Sequence, residues 1–193
     1  MENTFDRKEL EALREQYYGN AAIEKEVVIE VISEKFFKEI KHNAENDRRG
    51  EVAFAVQRKN KKVIVIRTDF YPEGIYRIPT GGINYGENVI DAVKREVQEE
   101  LGLITEIEKF MGVIKYHFIY KNERIDFYSY IFWLVEIGGS ILSDALEDEI
   151  NEYMEVDKQH MLDLVELLIG FQGDWKDWCL FRSYTTGFIA DFM

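Results

Sequence analysis

Three glutamates, Glu96, Glu99 and Glu100, fall within little more than one helical turn in the stretch VKREVQEELG. Successive residues of an α-helix step by roughly 100°, so Glu96 and Glu100 project nearly together, with Glu99 about a quarter turn away. All three reach one point beside an apolar stripe of Ile90, Val93, Val97 and Leu101. A like-charge pair four residues apart costs about a few tenths of a kcal/mol on an isolated helix, so a solvated acidic face alone does not favour this grouping. Hard divalent cations such as Mg²⁺ bind oxygen, keep several waters, and take one or two carboxylates plus substrate phosphates. Such an ion neutralises phosphate charge, helps generate a hydroxide nucleophile and orients displacement at phosphorus. The chemistry expected of this helix is that of a metal platform facing a polyphosphate.

The helix must be placed by what precedes it. Gly81, Gly82 and Gly86 read as a glycine-rich turn that allows tight backbone paths and close approach of main-chain groups to a ligand. It matches neither G-x-G-x-x-G nor G-x-x-x-x-G-K-[ST], so the spacing excludes the dinucleotide and P-loop motifs. From Glu87 to Leu101 there is no glycine or proline, which predicts one continuous helix.

Further out, Leu10, Leu13 and Tyr17 among charges predict an amphipathic helix over Asp6 to Gln16. The β-branched run Val27 to Ile32 predicts a strand, and Phe36, Phe37 and Ile40 a helix after it. GEVAFAVQR and KKVIVIRTDF read as an antiparallel hairpin, with a short strand at Tyr76 to Ile78 before Pro79. Ile104 to Tyr120 and Arg124 to Ile137 read as a second, longer hairpin around the turn-like KNER. Met161, Leu164, Val165, Leu168 and Ile169 follow a helical period that Gly170 stops, and DWKDWCLFRSYTTGFIADF reads as a last helix. Together these describe an α/β sandwich with a mixed sheet.

The composition sets the limits of function. Of the 193 residues, 46% are hydrophobic, enough for a substantial single core. The balance of 24 Lys plus Arg against 37 Asp plus Glu gives a net charge of −13, which disfavours a broad footprint on a nucleic acid duplex but leaves a metal-screened small polyphosphate open. Cys179 is the single cysteine, so neither an intrachain disulfide nor a thiolate zinc cage forms; it reads as a small core residue in a reducing compartment. MENTFDRKELEALREQ is too charged for a secretory signal, and no apolar run approaches a membrane span. A cytoplasmic protein without membrane partners is expected.

Taken together, GGINYGENVIDAVKREVQEELGL resembles the Nudix box of the Nudix hydrolases: Gly, five residues, Glu, seven residues, then Arg-Glu-apolar-any-Glu-Glu-any-Gly-apolar. Every fixed position fits, at Gly81, Glu87, Arg95, Glu96, Val97, Glu99, Glu100, Gly102 and Leu103. The resemblance implies the family's α/β/α sandwich over residues 49–170; outside it lie an N-terminal extension over 1–48, read as helical, and a C-terminal helix over 171–193 that packs on or extends the domain. It implies that Glu96, Glu99 and Glu100 hold Mg²⁺ or Mn²⁺, that Arg95 and Glu87 orient them, and that the residue before the box glycine, usually Gly or Ala and here Thr80, offers its carbonyl to a metal. Many members use a further acidic residue after the later strands, and DALEDEINEYMEV makes Glu149 the first candidate, ahead of Glu147 and Glu152.

The implied reaction is attack of metal-activated water on the diphosphate linkage of a nucleoside diphosphate derivative. The proline that ADP-ribose hydrolases tend to carry after the box is missing, since Pro79 is the last proline. Tyr116 and Tyr120 lie roughly where some dinucleoside polyphosphate hydrolases place a tyrosine, and Arg77, His117 and Phe70 are further candidates to meet a phosphate or a base. Members of the family often form homodimers; the aromatic end of the chain covers either a partner or its own core. Three other readings compete: a Nudix-fold nucleotide sensor without catalysis, an isopentenyl-diphosphate isomerase, which asks for a core cysteine, and a structural protein with a chance match.

Overall fold

A computed structural model describes residues 5–17, 22–143 and 150–193. Among the described residues seven strands form one mixed sheet: β1 (Ile23–Glu30), β2 (Arg48–Gln57), β3 (Val63–Arg67), β4 (Thr80–Asn84), β5 (Leu103–Tyr120), β6 (Glu123–Gly139) and β7 (Glu152–Val156). Their order is β1-β5-β6-β2-β3-β7, with β4 paired to β2. β5 and β6 form the long antiparallel hairpin read from the sequence, while β1 runs parallel to β5 and β2 parallel to β6.

Alternation along β2 divides the core. Val52, Phe54 and Val56 face one side, where they meet Leu10 and Leu13 of α1 (Arg7–Gln16) and Val89, Ala92 and Val93 of α3 (Val89–Glu96). Ala53 and Ala55 face the other, against α2 (Glu34–His42), α4 (Lys158–Gly170) and α5 (Lys176–Phe192). The sheet is therefore covered on both faces, the α/β/α sandwich expected. Phe181, Phe188, Ile189 and Ala190 are buried in this second core, so the aromatic end of the chain folds over its own sheet.

The N-terminal residues supply more than helix. β1 pairs with β5 from Ile23↔Gly112 to Glu30↔Ile119, and the Asp177 carboxylate of α5 accepts the Ile32 and Ser33 N–H groups at 3.0 and 2.7 Å. Three local readings change. The glycine-rich turn is mostly strand: Gly81 and Gly82 pair with Val52 and Glu51 as part of β4, and the chain turns only at residues 85–88, where Gly86 has φ +83°. The expected strand at Tyr76 to Ile78 reduces to a single bridge, Ile66↔Arg77. The helix expected from Glu87 begins at Val89, capped by the Asn88 side chain, and passes after Glu96 into a π-turn, Val97–Leu101, that ends at Gly102 with φ +66°.

Candidate active site

Arg95, in the last turn of α3, organises the carboxylates. Its Nε and Nη2 donate to both oxygens of Glu87 at 2.8 and 2.9 Å, and its Nη1 donates to Glu96 and Glu99 at 2.7 Å each. Nη2 also donates to the Gly82 carbonyl at 2.7 Å, tying the helix to β4. Glu87 in turn accepts the Asn84 N–H at 2.9 Å, which closes the turn between β4 and α3. Hydrogen bonds from Arg95 hold the Glu87 carboxyl below its ordinary pKa, and the same contacts raise that of Arg95. Burial outweighs Arg95 at Glu96, which is 8% exposed, and pushes its carboxyl up.

The geometry explains Gly81 by space. A Cβ there would sit 1.9 Å from Cδ of Glu96, so only glycine leaves room for that carboxylate against the strand. Gly82 is less constrained, since the nearest atoms a Cβ there would meet are those of the Arg48 guanidinium, at 3.2 Å. The π-turn alters the projection expected of a uniform α-helix, because its wider hydrogen-bonded ring turns each residue less. Arg95 bridges Glu96 and Glu99, and Glu100 is among the charges acting on Arg77.

Among the described residues no three acidic, histidine or cysteine side chains converge as metal ligands, and an Arg95 nitrogen bridges Glu96 and Glu99. The donor set nevertheless fits a hard divalent cation in kind. It consists of oxygens only, the carboxylates of Glu96, Glu99 and Glu100, beside a strand whose glycine makes room for one of them.

Arg77 and Thr80 lie together. Arg77 is buried, and its Nη1 donates to the Thr80 hydroxyl at 3.0 Å and to the Ile78 carbonyl at 2.8 Å, while its Nε donates to the Tyr71 hydroxyl at 2.8 Å. Three of the other substrate candidates, Tyr116, Tyr120 and His117, are engaged elsewhere. Tyr116 is fully buried among Phe118, Phe181 and Tyr184. Tyr120 packs on Phe37 and reaches Glu34 at 3.4 Å. His117 is bound to Asp126 and Arg124 across the second hairpin. Phe70 is 72% exposed. Glu147 and Glu149 lie outside the described residues, and Glu152 forms an ion pair with Arg67 at 3.1 Å. Cys179 is buried on α5, where burial pushes its thiol up to about 12, so it presents no nucleophile for isomerase chemistry.

Several supporting residues escape sequence reasoning. Glu9 of α1 accepts the Val89 N–H at 3.0 Å and Arg49 Nη2 at 2.8 Å, and Arg49 donates to the Glu87 carbonyl through Nε and Nη2 at 3.1 and 2.8 Å. The first helix thus holds the start of the carboxylate helix. On the opposite face, Glu51 takes Arg182 Nη1 at 2.9 Å on both oxygens and the Ser129 hydroxyl at 2.6 Å. The pair Arg48-Arg49 in an acidic chain was the one visible signal; nothing in the sequence singled out Glu9 or Glu51.

The family model described as the NUDIX domain matches residues 47–178. The chain is 31% identical over 104 residues to Nudix hydrolase 6 of Arabidopsis thaliana, covering 52% of this chain and 35% of that protein. It is 35% identical over 94 residues to an ADP-ribose pyrophosphatase of Methanocaldococcus jannaschii, covering 47% of this chain and 54% of that one. An 8-oxo-dGTP diphosphatase of Buchnera aphidicola is 33% identical over 72 residues, 37% of this chain and 56% of that protein. The chain therefore spans about half or less of the length of these curated relatives.

Proposed function

This chain belongs to the NUDIX family, and on that premise we propose that it is a pyrophosphohydrolase that uses Mg²⁺ or Mn²⁺ to split the diphosphate linkage of a nucleoside diphosphate joined to another moiety. The observation that carries the reading is the single Arg95 guanidinium gathering Glu87, Glu96 and Glu99 beside β4. ADP-ribose and 8-oxo-dGTP, named for two of the relatives, both contain a nucleoside and support that half of the substrate. In the reaction the oxygen of water bonds to one phosphorus, the bridging P–O bond breaks, one proton is given up, and two phosphorylated products leave.

Glu96, Glu99 and Glu100, with the Thr80 carbonyl, would hold the cation, whose chemistry is to screen the diphosphate charge and acidify a water. Arg95 keeps two carboxylates close against their mutual repulsion, and Glu87 fixes its guanidinium with a two-point fork. Arg77 presents fixed positive charge beside Thr80, with Nη1 and Nε already committed to Thr80 and Tyr71. Glu149 takes the proton of the attacking water. The family's tendency to form homodimers is carried into the proposal and is checked by size-exclusion chromatography at micromolar concentration, where a strictly monomeric elution rejects it.

The test is a panel of ADP-ribose, dinucleoside polyphosphates, nucleotide sugars, NADH, coenzyme A and nucleoside triphosphates, read by phosphatase-coupled phosphate release with each metal. Turnover of one class supports the reading, and Glu149→Gln should slow that class. Tight nucleotide binding with no product under either metal would instead favour a sensor.

A further inference from the structure

A cleft of about 570 Å³ opens between α2, residues 68–74 and the start of α5, within the size range of small-molecule sites. Tyr71, Trp175 and Trp178 form its aromatic wall, with Tyr71 and Trp178 centroids 4.5 Å apart and Trp175 edge-on to both. Phe70 stands at the rim, 72% exposed and without a ring partner, the most exposed of the large hydrophobic side chains among the described residues. Lys35, Glu39 and Asp174 add one donor and two acceptors to the same lining.

The cleft is wired to the box. The Tyr71 hydroxyl accepts Arg77 Nε, and Arg77 Nη1 donates to Thr80, the residue that begins β4. A molecule resting on the aromatic wall therefore lies one arginine away from Thr80, and Glu100 of the box is among the charges acting on that arginine. Arg77 lies over the Tyr71 ring at 5.3 Å and Arg182 over the Trp178 ring at 5.8 Å, which leaves Trp175 and the exposed Phe70 as the rings to stack a ligand. With mixed polar groups at the edge, they suit a planar heteroaromatic ring better than a sugar or an acyl chain. α2 lies outside residues 47–178 matched by the family model, so one wall of the cleft belongs to this chain's own N-terminal part.

We infer that this cleft is the subsite for the nucleobase of the substrate, with Phe70 folding onto the base as its outer stacking face. The inference rests on the proposed diphosphate hydrolysis for its substrate class, but its test does not need turnover. Intrinsic tryptophan fluorescence is titrated without metal, using AMP as the base-bearing probe and ribose 5-phosphate as the base-free one. AMP should quench emission and bind at least about tenfold more tightly than ribose 5-phosphate, the equivalent of roughly one stacked ring. Phe70→Ala, at an exposed position that should keep its melting temperature, should weaken AMP by a similar factor. Trp175→Phe should remove most of the quenching while retaining binding. Equal binding of the two probes, or AMP affinity unchanged in Phe70→Ala, overturns the subsite. If the diphosphate panel is silent while AMP still quenches, the hydrolase reading fails and the subsite stands. If diphosphates are hydrolysed while AMP leaves the tryptophans unchanged, the reverse holds.

Discussion

Arg95 faces three carboxylates and a carbonyl at 2.7 to 2.9 Å, and this crowding decides what each neighbouring substitution does. Glu87 reaches the candidate metal ligands only through Arg95, so Glu87→Gln should lower metal affinity and activity about 10- to 100-fold, the range of outer-shell partners, without unfolding the protein. Isothermal titration with Mn²⁺ measures it, and an unchanged affinity rejects the relay. Gly81→Ala should displace the Glu96 carboxylate, because the new methyl takes its seat. We expect a native circular dichroism spectrum with loss of the Mn²⁺-induced rise in melting temperature. The box glycine was legible as a motif, but its reason was not: sequence reasoning reads Gly-Gly as a turn, and only the packing of α3 on β4 reveals the requirement for space. A separate residue-scale effect lies at Asp126, where burial raises the carboxyl but hydrogen bonds from Arg124 and His117 prevail and bring it down to about 2. Its folded value lies below its unfolded value, so its stabilisation is present above about pH 4 and is lost as pH falls toward 2. Asp126→Asn should therefore lower the melting temperature at pH 7, with a difference that narrows toward pH 2; a gap constant with pH contradicts this.

Among the elements, α3 depends on α1. The Glu9 side chain caps Val89 and anchors Arg49, which in turn holds the Glu87 carbonyl. Glu9→Ala should cost about 1 kcal/mol, the usual loss of a helix cap, read as a lower urea midpoint at unchanged slope. Helices and strands with a clear period were legible: α1, β1 followed by α2, and the β5–β6 hairpin fall where periodicity and turn residues put them. The π-turn was not, because hydrophobic spacing from Val93 to Leu101 fits an α-helix as well. It carries Glu99 and Glu100, so its wider turn shapes how both project beside Glu96.

Over the whole molecule, the two cores meet through the sheet, and Glu51 with Arg182 fastens α5 to it. Both side chains are largely buried, at 2% and 12% exposure, so Glu51→Gln should leave a buried arginine uncompensated and cost about 3 to 5 kcal/mol. A loss below about 1 kcal/mol in chemical denaturation would show that the pair is effectively solvated. The sandwich and its layers were legible from alternating strands and helices, but the parallel pairing of β1 with β5 was not, since it joins residues far apart in sequence without any local signal. Among the described residues no helix is long and apolar enough to cross a membrane. The pairing of β4 with β2 and the bridge from Ile66 to Arg77 bring Arg77, Thr80 and the box side chains together along β4, the proposed place of a metal-dependent attack on a diphosphate. The most direct measurement is phosphorus NMR of ADP-ribose with wild-type protein and Glu100→Gln, each with and without Mg²⁺ and Mn²⁺. Wild-type protein should give two phosphate monoester resonances only when metal is added, and Glu100→Gln none. Metal-independent product, or full turnover by Glu100→Gln, would contradict it.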